Sequence, residues 1–90
     1  MKNIDVYNMK SSKGNDVPNQ FIVHVNNATY FKSYNTIIAK SENGIIILDE
    51  EKWDYSKTTG KYRNQFLGET ISETRQKIKN GTYKLANLNN

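Results

Sequence analysis

The spacing of apolar and polar positions divides the chain near residue 20. Residues 1–19 are rich in Asn, Ser, Lys and Gly and hold the single proline, Pro18. The run "SSKGNDVPN" has too little apolar surface to offset its ordering entropy. Residues 1–19 therefore read as a flexible lead-in, in which "IDVYNM" (4–9) can form a short strand, and residues 20–90 as a single domain. From Gln20 the alternation becomes strand-like. "FIVHV" sets Phe21, Val23 and Val25 on one face and Ile22 and His24 on the other. Asn26-Asn27 reads as a turn, because Asn tolerates positive φ. "ATYFKSY" returns with Ala28, Tyr30 and Lys32 facing one way and Thr29, Phe31 and Ser33 the other. "TIIAKS" (36–41) continues after a bend near Asn35, and Asn43-Gly44 marks a tight hairpin into "IIILDE" (45–50). Four consecutive aliphatics, Ile45 to Leu48, predict a strand covered on both faces.

The helix signal comes later. Thr70-Ile71-Ser72-Glu73 matches a capping box, Lys77 and Lys79 suit the negative end of a helix dipole, and Asn80-Gly81 supplies the stop. A helix from Ile71 to about Lys79 follows, with Ile71, Thr74 and Ile78 as its inward stripe. "TYKLANL" (82–88) reads as a short final strand. The predicted fold class is α+β: an antiparallel sheet of about four to five strands with one short C-terminal helix and a terminal strand.

Between the fourth strand and that helix lies "KWDYSKTTGKYRNQFLGET" (52–70), which fits neither period. Its length exceeds an ordinary connection. Trp53, Tyr55, Tyr62 and Phe66 argue against disorder, since slack chain would leave their rings in water. The expectation is an ordered arch, with Trp53 and Phe66-Leu67 against the sheet and Asp54 turning onto Ser56. From it Lys57, Lys61, Tyr62 and Arg63 project as a partner-binding surface, with Tyr62 and Arg63 as its central anchors and Lys57, Lys61 and Lys79 at the rim. A nucleic-acid interface is the alternative, in which Tyr55 or Tyr62 stacks on bases while Lys57, Lys61, Arg63 and Arg75 neutralise phosphates.

Charge sharpens that choice only partly. Residues 1–51 carry five Lys against six Asp/Glu; residues 52–90 carry eight Lys/Arg against three, so the whole excess of +4 sits in the second half. A basic half mixed with aromatics favours a polyanionic partner or an acidic protein surface. There is no cysteine, so no disulfide or thiolate metal site supports the core. The longest aliphatic run, "IIIL", is far short of a membrane span, and "MKNIDVYNMK" lacks a signal peptide's apolar run; a cytoplasmic protein with no membrane partner is expected. His24 is the only histidine and sits inside a strand, where a structural role is expected, so no metal, cofactor or catalytic residue is assigned. "LDEE" (48–51) with Asp54 lacks calcium-loop spacing and reads as a solvated strand end. "KTTGKY" fails as a phosphate loop, because Tyr55 stands where glycine is needed and Tyr62 follows Lys61.

The stretches "YFKSYNTIIAK", "WDYSKTTGKYRNQFLGE" and "ETRQKIKNGTYKLANLN" resemble a family of small uncharacterised proteins encoded by phages and conjugative elements of Gram-positive bacteria. The resemblance covers residues 28–89 and centres on W-D-Y-S-x-T-T-x-K-Y. It implies a setting: an accessory protein in a bacterial cytoplasm, where such proteins often inhibit host defence, anti-CRISPR proteins among them. The reading is a non-enzymatic inhibitor of a host protein or ribonucleoprotein complex, acting as a monomer or homodimer. The alternative is a small basic nucleic-acid-binding protein.

Overall fold

The computed structural model describes residues 3–90. Strands β1 (Ile4–Lys10), β2 (Asp16–Val25), β3 (Ala28–Ser33), β4 (Thr36–Glu42) and β5 (Ile45–Asp49) precede helices α1 (Lys57–Leu67) and α2 (Ile71–Lys79), and β6 (Lys84–Ala86) follows. The strands form one sheet in chain order. Neighbours are antiparallel through β5, and β6 is parallel to β5. A parallel step needs a crossover, and α1 with α2 is that crossover. The protein is thus a small α+β domain with a six-stranded, mostly antiparallel sheet and two helices, against the four to five strands, terminal strand and single helix that the pattern predicted.

Asn26 and Asn43 stand at positive φ (57° and 54°), with Gly44 at 79°, which gives the tight hairpins their twist-matching turns. The expected facing of β2 and β3 holds. Phe31 and Ser33 are buried under the helices with Ile22 packed beside them, whereas Phe21, Val23 and Lys32 line the other face. One irregularity matters. Phe31 pairs with Ala39 and Lys32 with Ile37, so Ile38 is an extra residue on β4. This bulge turns both Ile38 and Ala39 into the core, where neither is exposed.

The lead-in contributes regular structure of its own. Ile4–Lys10 is an edge strand that includes the short strand expected at 4–9, and Met9 and Val17 belong to the core. Residues 1 and 2 lie outside the described part. The arch is corrected most: Lys57–Leu67 is an α-helix. Ser56 caps it by accepting from the Thr59 N–H, and Gly68 ends it at φ 70°. Ser56 is therefore a helix cap rather than the partner of an Asp54 turn. The capping box at Thr70 and Glu73 forms as expected, with both reciprocal hydrogen bonds present. Trp53, Phe66 and Leu67 pack on the core, as expected, and the rings of Phe31 and Phe66 stack 5.8 Å apart.

The strand predicted to be covered on both faces is covered on one. Leu48 is fully buried and Ile46 packs on the core beneath the helices, while Ile45, of opposite phase, is 55% exposed.

Candidate functional site

Two surfaces could contact a partner: the outer side of the helices and the sheet face they leave uncovered. The helix side carries the residues singled out in the sequence, and the structure separates them. Lys57 and Lys61 are exposed one turn apart on α1, and Arg75 and Lys79 likewise on α2. Tyr55 is also exposed, with Lys52 5.4 Å above its ring. Tyr62 and Arg63 do not project at all; they are 6% and 1% exposed, on the inward face of α1. The proposed anchors are thus core residues.

Arg63 has a definite task there. Its Nη1 donates to the Trp53 carbonyl at 2.8 Å and to Asp54 Oδ1 at 3.1 Å, and its Nη2 donates to Asn64 Oδ1 at 2.9 Å. The guanidinium also lies 5.3 Å from the centre of the Trp53 ring. One buried side chain thereby ties the turn after β5 to α1. Gly60, a turn earlier, leaves room: a Cβ there would meet Arg63 Nη2 at 3.6 Å. Arg75 reaches the other oxygen of Asp54 at 3.3 Å, so that cation is partly engaged too.

Two carboxylates hold the crossover and the tail. Burial alone would raise the carboxyl of Glu69, but donors from Lys77 (2.6 Å), Thr74 and Tyr83 (2.8 Å) outweigh it and keep the group below its usual 4.5. Asp49 behaves alike: burial works against ionisation, yet the Leu88, Lys52 and Glu51 amides and the Asn89 side chain hold it below 3.8. It is a buried joint rather than a solvated strand end. Asn89 then stands in for a strand partner, accepting from the Ile37 N–H at 2.8 Å and donating to the Ile37 carbonyl at 3.0 Å. His24 is held on both ring nitrogens, 3.0 Å from Tyr7 Oη and 2.9 Å from Thr29 Oγ1. No cluster of three or more metal-ligating side chains occurs among the described residues.

The uncovered sheet face is different in kind. Strand pairing aligns Val6, Val23, Tyr30, Lys40 and Ile47 in one row across it, and Phe21, Lys32 and Ile37 in the next. A groove of about 630 Å³ opens there, with Val6, Phe21, Val23 and Ile37 as an apolar floor. Lys32 and Asn35 form one side, and Leu88, Asn89 and Asn90 of the tail close another. Lys32 and Lys40 lie over the rings of Phe21 and Tyr30, each 5.8 Å from the centroid. Lys40 also meets Glu42 at 3.1 Å, which raises its pKa above the usual value.

Residues 4–81 match a family of unknown function, DUF8033. The chain belongs to that family. No curated protein and no solved structure matches it. In this DUF8033 domain the open face is what sequence reading missed, though a signal was present. Strands β2 and β5 carry apolar residues on both faces, and one short helix cannot cover both sides of a sheet. No helix among the described residues is long and apolar enough to cross a membrane.

Proposed function

We propose that this DUF8033 protein is a non-enzymatic binding protein that docks a partner protein on its open sheet face. The observation that carries the reading is the open-face row Val6, Val23, Tyr30, Lys40 and Ile47 with Phe21 and Ile37 beside it, apolar and aromatic apart from the lysines that lie over its two rings. Apolar patches of this kind on a small domain mark interaction sites. Lysines laid across the rings keep the face hydrated when free and can swing out to acidic groups on a partner. Tyr30 and Phe21 are the aromatic anchors on this reading, replacing Tyr62 and Arg63. The resemblance of residues 28–89 to phage and mobile-element proteins supplies the setting. In a bacterial cytoplasm the partner is a host protein or ribonucleoprotein of a defence system, inhibited by occlusion.

The test is affinity capture from a Gram-positive host lysate, with nuclease treatment, comparing three baits. Wild type and a Lys57→Glu/Lys61→Glu variant should retain the same stoichiometric protein, and Val23→Lys/Ile47→Lys should lose it. Equal capture by all three baits would remove the open face from consideration.

One observation favours a second reading: Lys57, Lys61, Arg75 and Lys79 are all exposed on the helices. Such a set can neutralise phosphates, and the binding would fall steeply with added salt. Fluorescence anisotropy with single-stranded DNA and RNA separates the two, since this reading requires binding that the Lys57→Glu/Lys61→Glu variant abolishes.

A further inference from the structure

The outer edge of β1 is a row of unpaired backbone groups, and their orientation is fixed by the pairing inside the sheet. The Asn26 N–H donates to the Asn3 carbonyl, and Ile4 pairs with Val25, so odd-numbered residues of β1 bond inward to β2. The tight turn at Asn26-Asn27 agrees, because it commits the Val25 backbone to Ala28 on β3. The N–H and C=O groups of Ile4, Val6 and Asn8 therefore point away from the sheet. Among the described residues no segment pairs with them.

From Ile4 to Asn8 this edge is weakly guarded, since its bulge and Lys10 lie past Asn8 and Asp5 is the one charged residue in that span. Ile4, Val6 and Tyr7 are 58%, 59% and 50% exposed, and neither proline nor lysine stands between Ile4 and Met9. The opposite edge, β6, is only three residues long and begins with Lys84.

We infer that β1 pairs antiparallel with β1 of a second copy, about a two-fold axis at Val6. Opposed residues in an antiparallel pair share a face, so a two-fold axis normal to the sheet must pass through a residue facing itself. At Asp5 the axis would set two carboxylates against each other. At Tyr7 it would set Ile4 against Lys10. At Val6 it opposes Val6 to Val6 and Ile4 to Asn8 of the second copy, all using the outward-pointing backbone groups. Asp5 then faces the ring of Tyr7 of the second copy, and from Asn3 to Met9 no like charges meet. The two open faces join into one, because Val6 already lines the groove. The inference does not depend on that groove having a partner.

The experiment is light scattering across a concentration series, paired with amide exchange of the wild-type chain at low and high concentration. Mass should rise to twice the chain's 10.4 kDa. The amides of Ile4, Val6 and Asn8 should gain protection with concentration, while those of Asp5 and Tyr7, bonded to β2, should not change. Val6→Pro removes only an outward N–H and should remain monomeric; Val6→Lys gives the same result without altering the backbone. A wild-type mass that stays at one chain overturns the inference. So does a dimer in which the Ile4, Val6 and Asn8 amides exchange freely.

Discussion

Replacing Arg63 with alanine tests whether one buried guanidinium holds the helical layer to the sheet. Hydrogen bonds involving a charged group contribute about 1.5–3 kcal/mol each in favourable cases. The bonds to the Trp53 carbonyl and Asn64 are made by a side chain that is 2% exposed. The bond to Asp54 counts for less, about 0–1 kcal/mol, since that carboxylate is 37% exposed and screened by water. Loss of the contact with the Trp53 ring adds about 0.5–2 kcal/mol. Against these stands relief of burying a charge whose Nε has no partner. The net expectation for Arg63→Ala is about 3–5 kcal/mol of lost stability. In a domain of this size that is a fall in Tm of about 12 °C or more. Urea unfolding, with trimethylamine oxide to restore a folded baseline, gives the measurement, and the m-value should not change. Asp54→Asn is the control. It keeps an acceptor at the same place and should cost about 1 kcal/mol or less. Equal losses in the two variants would mean that charge pairing, not the forked donation to Trp53 and Asn64, holds the joint. A loss below about 1 kcal/mol for Arg63→Ala would refute the joint altogether.

Gly60→Ala should stabilise the domain by about 0.5–1 kcal/mol in the same unfolding assay, because the added Cβ meets Arg63 only at ordinary contact distance and the helix gains propensity. Tyr34→Asn should also stabilise, by about 0.5–1 kcal/mol, since Tyr34 holds φ 57° on an exposed turn where asparagine is more at ease. Stability should fall on acidification, and Tm followed from neutral pH downward checks the sign. The Glu69 carboxyl sits below its ordinary 4.5, so its contribution is complete above that value and disappears as pH drops through the lower, folded one. Glu69→Gln should lower Tm at neutral pH and flatten the acid limb, leaving the part due to Asp49.

The strands were legible because period-two alternation and asparagine turns are local signals, and Asn26 and Asn43 do adopt the positive φ that those turns need. The second helix was legible for the same reason: Thr70 and Glu73 lie three residues apart and make their bonds within that span. Helix α1 was not, and its inward face explains why. Thr59, Gly60, Tyr62 and Arg63 are its buried residues. Two of them are weak helix formers and one is charged, so no apolar stripe shows in the sequence. With Arg63 counted as inward, Thr59, Arg63 and Leu67 fall on one side at steps of four, and Ser56 and Gly68 become ordinary caps. What hid the helix was a buried arginine, whose acceptors at Trp53 and Asp54 lie ten and nine residues upstream. The same arginine displaces the candidate surface, because a charged residue reads as exposed in the sequence whereas Arg63 is buried.

The open face follows from topology rather than from any shortage of apolar residues. The connections from β1 through β5 are tight: residues 11–15, Asn26-Asn27, Tyr34-Asn35 and Asn43-Gly44. Chain in such turns stays in the plane of the sheet and covers neither face. All the helix in the domain lies in the single crossover from β5 to β6, and one crossover lies on one side. The tail after β6 reaches only the rim of the other side, through Leu88 and Asn89. Among the described residues, then, no helix packs over Phe21, Val23, Tyr30 and Ile47. Lys32 and Lys40 lie over two of those rings, but a lysine moves at little cost, whereas a helix does not. A face covered by lysine side chains can be uncovered by a partner that supplies acidic groups of its own, and this is the physical basis for the proposal that recognition lies on the sheet.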